Sequence, residues 1–110
     1  MKKPIKEAHI DQDVREFILI GNIELRIYAS EARQKVELLR KHAGSVSPIT
    51  FIMELVILEY LLEKVETLSW DLTQLNKVAG QDNLKPYHNI RRELARQNQW
   101  LHKSKSNYGL

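Results

Sequence analysis

The sequence predicts an all-α protein: a long antiparallel helical hairpin, then a third, shorter and basic helix, together a three-helix bundle in one domain over residues 1–110. Three observations predict it. Apolar residues recur every three or four positions through two long stretches. Four Gly and three Pro are too few for the turns of an all-β chain. Most of them stand where one helix would stop or the next would start.

Residues 1–11 read as a basic, polar arm, with Lys2, Lys3 and Lys6 before Asp11 and Asp13. Helix one is expected over 12–43. Its seam is Val14, Ile18, Gly21, Leu25, Tyr28, Ala32, Val36 and Leu39. Basic residues in the last turn precede Gly44, which is placed for a left-handed C-cap. Ser47 and Pro48 then fit an N-cap and the first helical position. Helix two is expected over 48–79 on Phe51, Leu55, Leu58, Leu62, Val65, Leu68, Leu72, Leu75 and Ala79. The link between the two is short enough to make them antiparallel neighbours. Gly80 ends the second helix, and Pro86 opens helix three over 85–104, with Tyr87, Ile90, Leu94 and Leu101 as a narrow apolar stripe.

Several function classes are set aside by composition. The chain has no Cys, which removes disulfides, thiolate metal sites and cysteine nucleophiles. Its glycines stand alone, so no Gly-rich phosphate loop is present. His9, His42, His88 and His102 show no pair at helical metal-ligand spacing, and no Glu is followed three residues later by His. Glu59, Glu63 and Glu66 therefore read as a solvated stripe. No metal, no cofactor and no catalytic residue are expected. Acidic residues after the first lysines break any export signal, and Glu54 and Glu59 interrupt the longest apolar stretch, so a cytoplasmic protein without a membrane span is expected.

Both long helices hold more apolar residues than one seam needs. From Pro48 to Leu62, 11 of 15 residues are apolar. Ile49, Ile52, Val56 and Tyr60 lie off the seam, as do Ile20, Ile23 and Ile27 in helix one. Such a surplus points to an oligomer interface or the seat of a larger protein partner.

Charge is segregated behind the net +3. Helix two is acidic, whereas residues 85–105 hold six basic residues against Glu93 alone. Lys85, Arg92, Arg96 and Lys103 fall within about 40° on a helical wheel, with Gln99 among them and Arg91 and Trp100 on the flanks. An unneutralised stripe of this kind suits a phosphate backbone, most simply that of duplex DNA.

Two resemblances add to this. The pattern from Glu31-Ala32-Arg33-Gln34-Lys35-Val36, through Ser47-Pro48 and Leu58-Glu59-Tyr60-Leu61, to Leu84-Lys85-Pro86-Tyr87-His88-Asn89-Ile90-Arg91 and a final Tyr108-Gly109-Leu110 resembles the small subunits of tailed-phage terminases. It implies a non-catalytic DNA-packaging factor, often a ring, which recognises viral DNA and regulates a large ATPase–nuclease subunit. Since no separate helix-turn-helix fits before residue 12, DNA contact would fall to helix three or the Lys2/Lys3/Lys6 arm. Separately, Arg96-Gln-Asn-Gln-Trp-Leu-His102 is similar to the arginine–histidine signature of HEPN ribonucleases and would cast Arg96 and His102 as RNA-cleaving. A third reading needs no nucleic acid: a protein-binding regulator or immunity-type bundle acting through an exposed apolar helix face.

Overall fold

The computed structural model describes residues 5–110, with side chains from residue 12 onward. Among these residues there are three helices and no strand: α1 (Ile5–His42), α2 (Pro48–Val78) and α3 (Lys85–Asn107). The particle is a rod of 65 × 21 × 20 Å. Its radius of gyration of 18.1 Å exceeds the ~13 Å of a spherical domain of this length.

α1 starts earlier than its sequence signals suggest. Residues 5–11, expected to be an arm, are helical backbone: the apolar rhythm begins only at Val14, but polar and charged residues such as Lys6 and Glu7 are good helix formers. At its other end Gly44 does not take the left-handed conformation expected of it; positive φ is confined to Gly80 and Gly109 among the described residues. The carbonyl of His42 instead accepts from both the backbone N–H and the hydroxyl of Ser45, which closes the turn without a left-handed residue. Ser47 caps α2 as expected. Its Oγ accepts from the Thr50 N–H at 3.3 Å and donates to Thr50 Oγ1 at 2.8 Å. Gly80, at φ +76°, ends the second helix, while Gln81 N–H donates to Asn76 O. Ala79, assigned to the seam from sequence, is the exposed C-cap. α3 runs three residues past its expected end, to Asn107.

α2 is the central element and packs against both other helices. Along its contact with α1, Gly21 meets Leu72 and Lys35 pairs with Glu54, so residue numbers rise on one helix as they fall on the other. Leu25, Ala32, Val36 and Leu39 bury against Leu55, Leu58, Leu62, Val65 and Leu72. Gly21 marks a close approach: a Cβ there would lie 2.7 Å from Leu72 Cδ2. From α3, Tyr87, Leu94 and Leu101 enter the same core.

α2 also buries a stripe that periodicity of apolar residues does not reveal. Ser69, Thr73 and Asn76 are all buried at helical spacing. Each satisfies its side chain locally: Ser69 Oγ donates to Glu66 O, Thr73 Oγ1 to Ser69 O, and Asn76 Nδ2 to Leu72 O. Asn76 Nδ2 donates as well to Tyr87 Oη at 2.9 Å, and that hydroxyl donates to Asn22 Oδ1 at 2.8 Å, a relay that ties all three helices together. Among the described residues no buried side-chain polar atom lacks a partner.

Candidate functional site

α3 separates its two sides cleanly because residues seven and eleven apart return to one face. Tyr87, Leu94 and Leu101 are buried, while Lys85, Arg92, Arg96, Gln99 and Lys103 are exposed on the opposite side. From Lys85 to Lys103 the stripe is about 27 Å long at 1.5 Å per residue. Among the described residues none of these four cations has a carboxylate within ion-pair distance; the pairs formed are Arg33–Glu93, Lys35–Glu54 and Lys105–Glu59. Lys2 and Lys3 lie outside the described residues, and the Lys6 side chain lies outside those whose side chains are described.

The acidic second helix neutralises only one flank of α3. Lys105 Nζ donates to Glu59 Oε2 at 2.8 Å. Arg91 is drawn into that flank too. Its guanidinium donates to Ser69 O and Thr73 Oγ1 and lies 4.0 Å from the centre of the Trp70 ring. The structure thus places Arg91 half-buried in the α2–α3 contact, apart from the exposed stripe it was grouped with from sequence. A long-range partner on α2 decides this, and α3 alone carries no sign of it.

On the other flank α3 meets α1. Arg33 grips Glu93 with two parallel hydrogen bonds, Nε to Oε1 at 2.8 Å and Nη2 to Oε2 at 2.9 Å. These bonds hold the Glu93 carboxyl below its ordinary range, and Arg96 adds to the effect through its charge; the Arg33 guanidinium is raised in turn. The one acidic residue of α3 is thereby claimed by α1. Farther along, Arg40 lies 5.7 Å from the centre of the Trp100 ring. Arg40, Trp100, Phe51 and Tyr108 border an open groove of about 530 Å³ at this end of the rod.

The second feature is apolar. Ile49, Val56, Tyr60, Ile20, Ile23 and Ile27 are all exposed in the single chain, whereas Ile52 is half-buried and off the outward stripe. Met53, Ile57, Phe17 and Leu38, which do not stand out in the apolar pattern of the sequence, are exposed as well. These residues are spread over more than one side of the rod: Ile23 lines a groove with Pro86, Tyr87 and Ile90 of α3, whereas Phe17 and Ile20 line another with Leu68 and Leu75 of α2.

Arg96 and His102 both stand exposed on α3, about 120° apart around the helix. No cluster of three His, Asp or Glu side chains among the described residues could hold a metal ion. No helix among them is long and apolar enough to cross a membrane. No protein-family model, curated protein or solved structure matches this chain.

Proposed function

We propose that the chain is a non-catalytic, self-associating accessory factor that holds nucleic acid on the outer face of α3, acting in the cytoplasm as a DNA-packaging subunit of the small-terminase kind would. In this reading the antiparallel α1–α2 hairpin is the unit of assembly. Lys85, Arg92, Arg96 and Lys103 neutralise phosphates, with Gln99 as a hydrogen-bonding neighbour. The observation that carries it is the 27 Å run of cations left without carboxylate partners among the described residues, while the neighbouring Glu93 is taken up by Arg33. The seven-residue steps from Lys85 to Arg92 and from Arg96 to Lys103 are each about 10 Å, two helical turns, which lets such a row follow a duplex backbone or groove.

The test is the salt dependence of binding to a labelled duplex. Four phosphate contacts give a log–log slope of about 3.6, so affinity falls roughly 150-fold between 50 and 200 mM salt. Arg92→Gln/Arg96→Gln removes two contacts and halves the slope, so the same change in salt costs only about 12-fold. Absence of binding at 50 mM salt, or an unchanged slope in the variant, overturns the reading.

The exposed apolar stripe favours one other reading, a regulator that receives a protein partner on that face. Such a factor binds duplex weakly at any salt concentration, and Arg92→Gln/Arg96→Gln leaves its partner affinity unchanged.

A further inference from the structure

We infer that a second copy of this chain covers the side of α1 and α2 that faces away from α3, in a two-fold dimer where the α2 stripe of each copy enters the α1–α2 groove of the other. This rests on the self-association proposed above and not on the nucleic-acid contacts of α3.

Two apolar patches lie on that side. One is the N-terminal half of α2, where Ile49, Met53, Ile57 and Tyr60 are exposed. The other is a groove of about 280 Å³ between the helices, walled by Phe17 and Ile20 of α1 and by Leu68 and Leu75 of α2, with Gly21 and Leu72 in its floor. Met53 and Asp71, at the groove's rim, are five helical turns apart and share one azimuth, so stripe and groove face the same way. They are separated along the rod by about 25 Å. Midway between them lies the Tyr60–Lys64 turn, where Lys64 Nζ sits 5.5 Å from the centre of the Tyr60 ring.

A two-fold axis at that turn carries each patch onto the other. The stripe of one copy then lies in the groove of its partner, and both contacts form at once, which closes the assembly at two. Charge agrees with this placement. The first turn of α2 has no acidic residue to offset its positive end. The groove is rimmed by the exposed carboxylates of Glu24 and Asp71, and the two-fold brings each α2 N-terminus beside that rim in the other copy. Area agrees too: the exposed members of stripe and groove, Ile49, Met53, Ile57, Tyr60, Phe17 and Ile20, together show roughly 700 Å², close to the ~800 Å² that one side of a standard interface buries. In the dimer both α3 helices lie on the outside, at opposite edges.

Light scattering tests this in buffer without nucleic acid. At about 200 µM the parent chain shows twice its 12.9 kDa. Met53→Glu/Ile57→Glu, which spoils the stripe, and Phe17→Glu/Ile20→Glu, which spoils the groove, each give single-copy mass with unchanged helical circular dichroism. An equimolar mixture of the two variants recovers dimer, more weakly than the parent, because a mixed pair keeps one intact stripe in one intact groove. Single-copy mass for the parent overturns self-association itself. A mass above two copies, or no recovery on mixing, overturns the two-fold pairing alone and leaves self-association standing. If a glutamate pair unfolds the chain, the corresponding serine pair gives the same readout.

Discussion

Gly21 offers a sharp test of how closely α1 and α2 pack. Ordinarily Gly→Ala inside a helix stabilises by about 1 kcal/mol. Here the new Cβ would lie 2.7 Å from Leu72 Cδ2, and Leu72 is only 2 % exposed, so its side chain has little room to retreat. Overpacking of this kind costs about 1–3 kcal/mol. Gly21→Ala is therefore expected to destabilise by about 0–2 kcal/mol where propensity alone would stabilise. Leu72→Ala removes a buried Leu and costs about 2–5 kcal/mol. In the double variant the clash is gone, the helix propensity of Ala is recovered and its methyl fills part of the cavity. The sum of the single effects should then exceed the double effect by at least about 1 kcal/mol. Urea denaturation of all four proteins at one fixed concentration measures this coupling, the concentration being held because self-association would shift every midpoint. Additivity within about 0.5 kcal/mol, the behaviour of independent sites, would refute the close contact.

Three further outcomes follow from polar groups. Tyr87→Phe takes away an acceptor from Asn76 and a donor from Asn22 and should cost about 1–3 kcal/mol in urea denaturation; a loss below about 0.5 kcal/mol would mean the relay holds nothing. Ser47→Ala removes the cap of α2 and should cost about 1 kcal/mol, whereas Ser47→Gly should cost only a few tenths in the same assay. Glu93, depressed mainly by its hydrogen bonds to Arg33 and then by its charge, gives a stability contribution that is present above about pH 4.5 and lost as pH falls through the lowered value. Because both side chains are more than a third exposed, that contribution is below about 1 kcal/mol. In Arg33→Gln the difference between stability at pH 6 and at pH 3 should shrink by this amount, and an unchanged difference would place the pH dependence elsewhere.

Much of the architecture was legible because helices announce themselves locally. Ser47-Pro48 and Gly80 act through the conformations of single residues, so α2 began where expected and ended within one residue. The seam on α1 and α2 was visible because burial of a helix face imposes a 3.6-residue rhythm on apolar side chains. The Ser69–Thr73–Asn76 stripe escaped that rhythm: small polar residues bury well when their own backbone satisfies them, and hydropathy counts them as exposed. The start of α1 lies earlier than the sequence suggests for a related reason, since the apolar rhythm begins only at Val14 and the polar residues before it are compatible with helix without showing that rhythm.

The candidate site divides in the same way. The alignment of Lys85, Arg92, Arg96 and Lys103 depends only on helical geometry, so the sequence was enough to place them on one face of α3. The fate of their neighbours depends on groups more than ten residues away. Arg91 leaves that face because Trp70, Ser69 and Thr73 of α2 hold it, and Glu93 is withdrawn because Arg33 of α1 reaches it with two bonds. The apolar surplus could likewise be counted from composition. Which members share a side, and that Phe17 joins Leu75 across a groove, was set by how α1 and α2 rotate about Gly21. Local rules of turn chemistry and periodicity are written along the chain, whereas rotation between helices is fixed by close packing of side chains distant in sequence, and only the folded molecule contains that information.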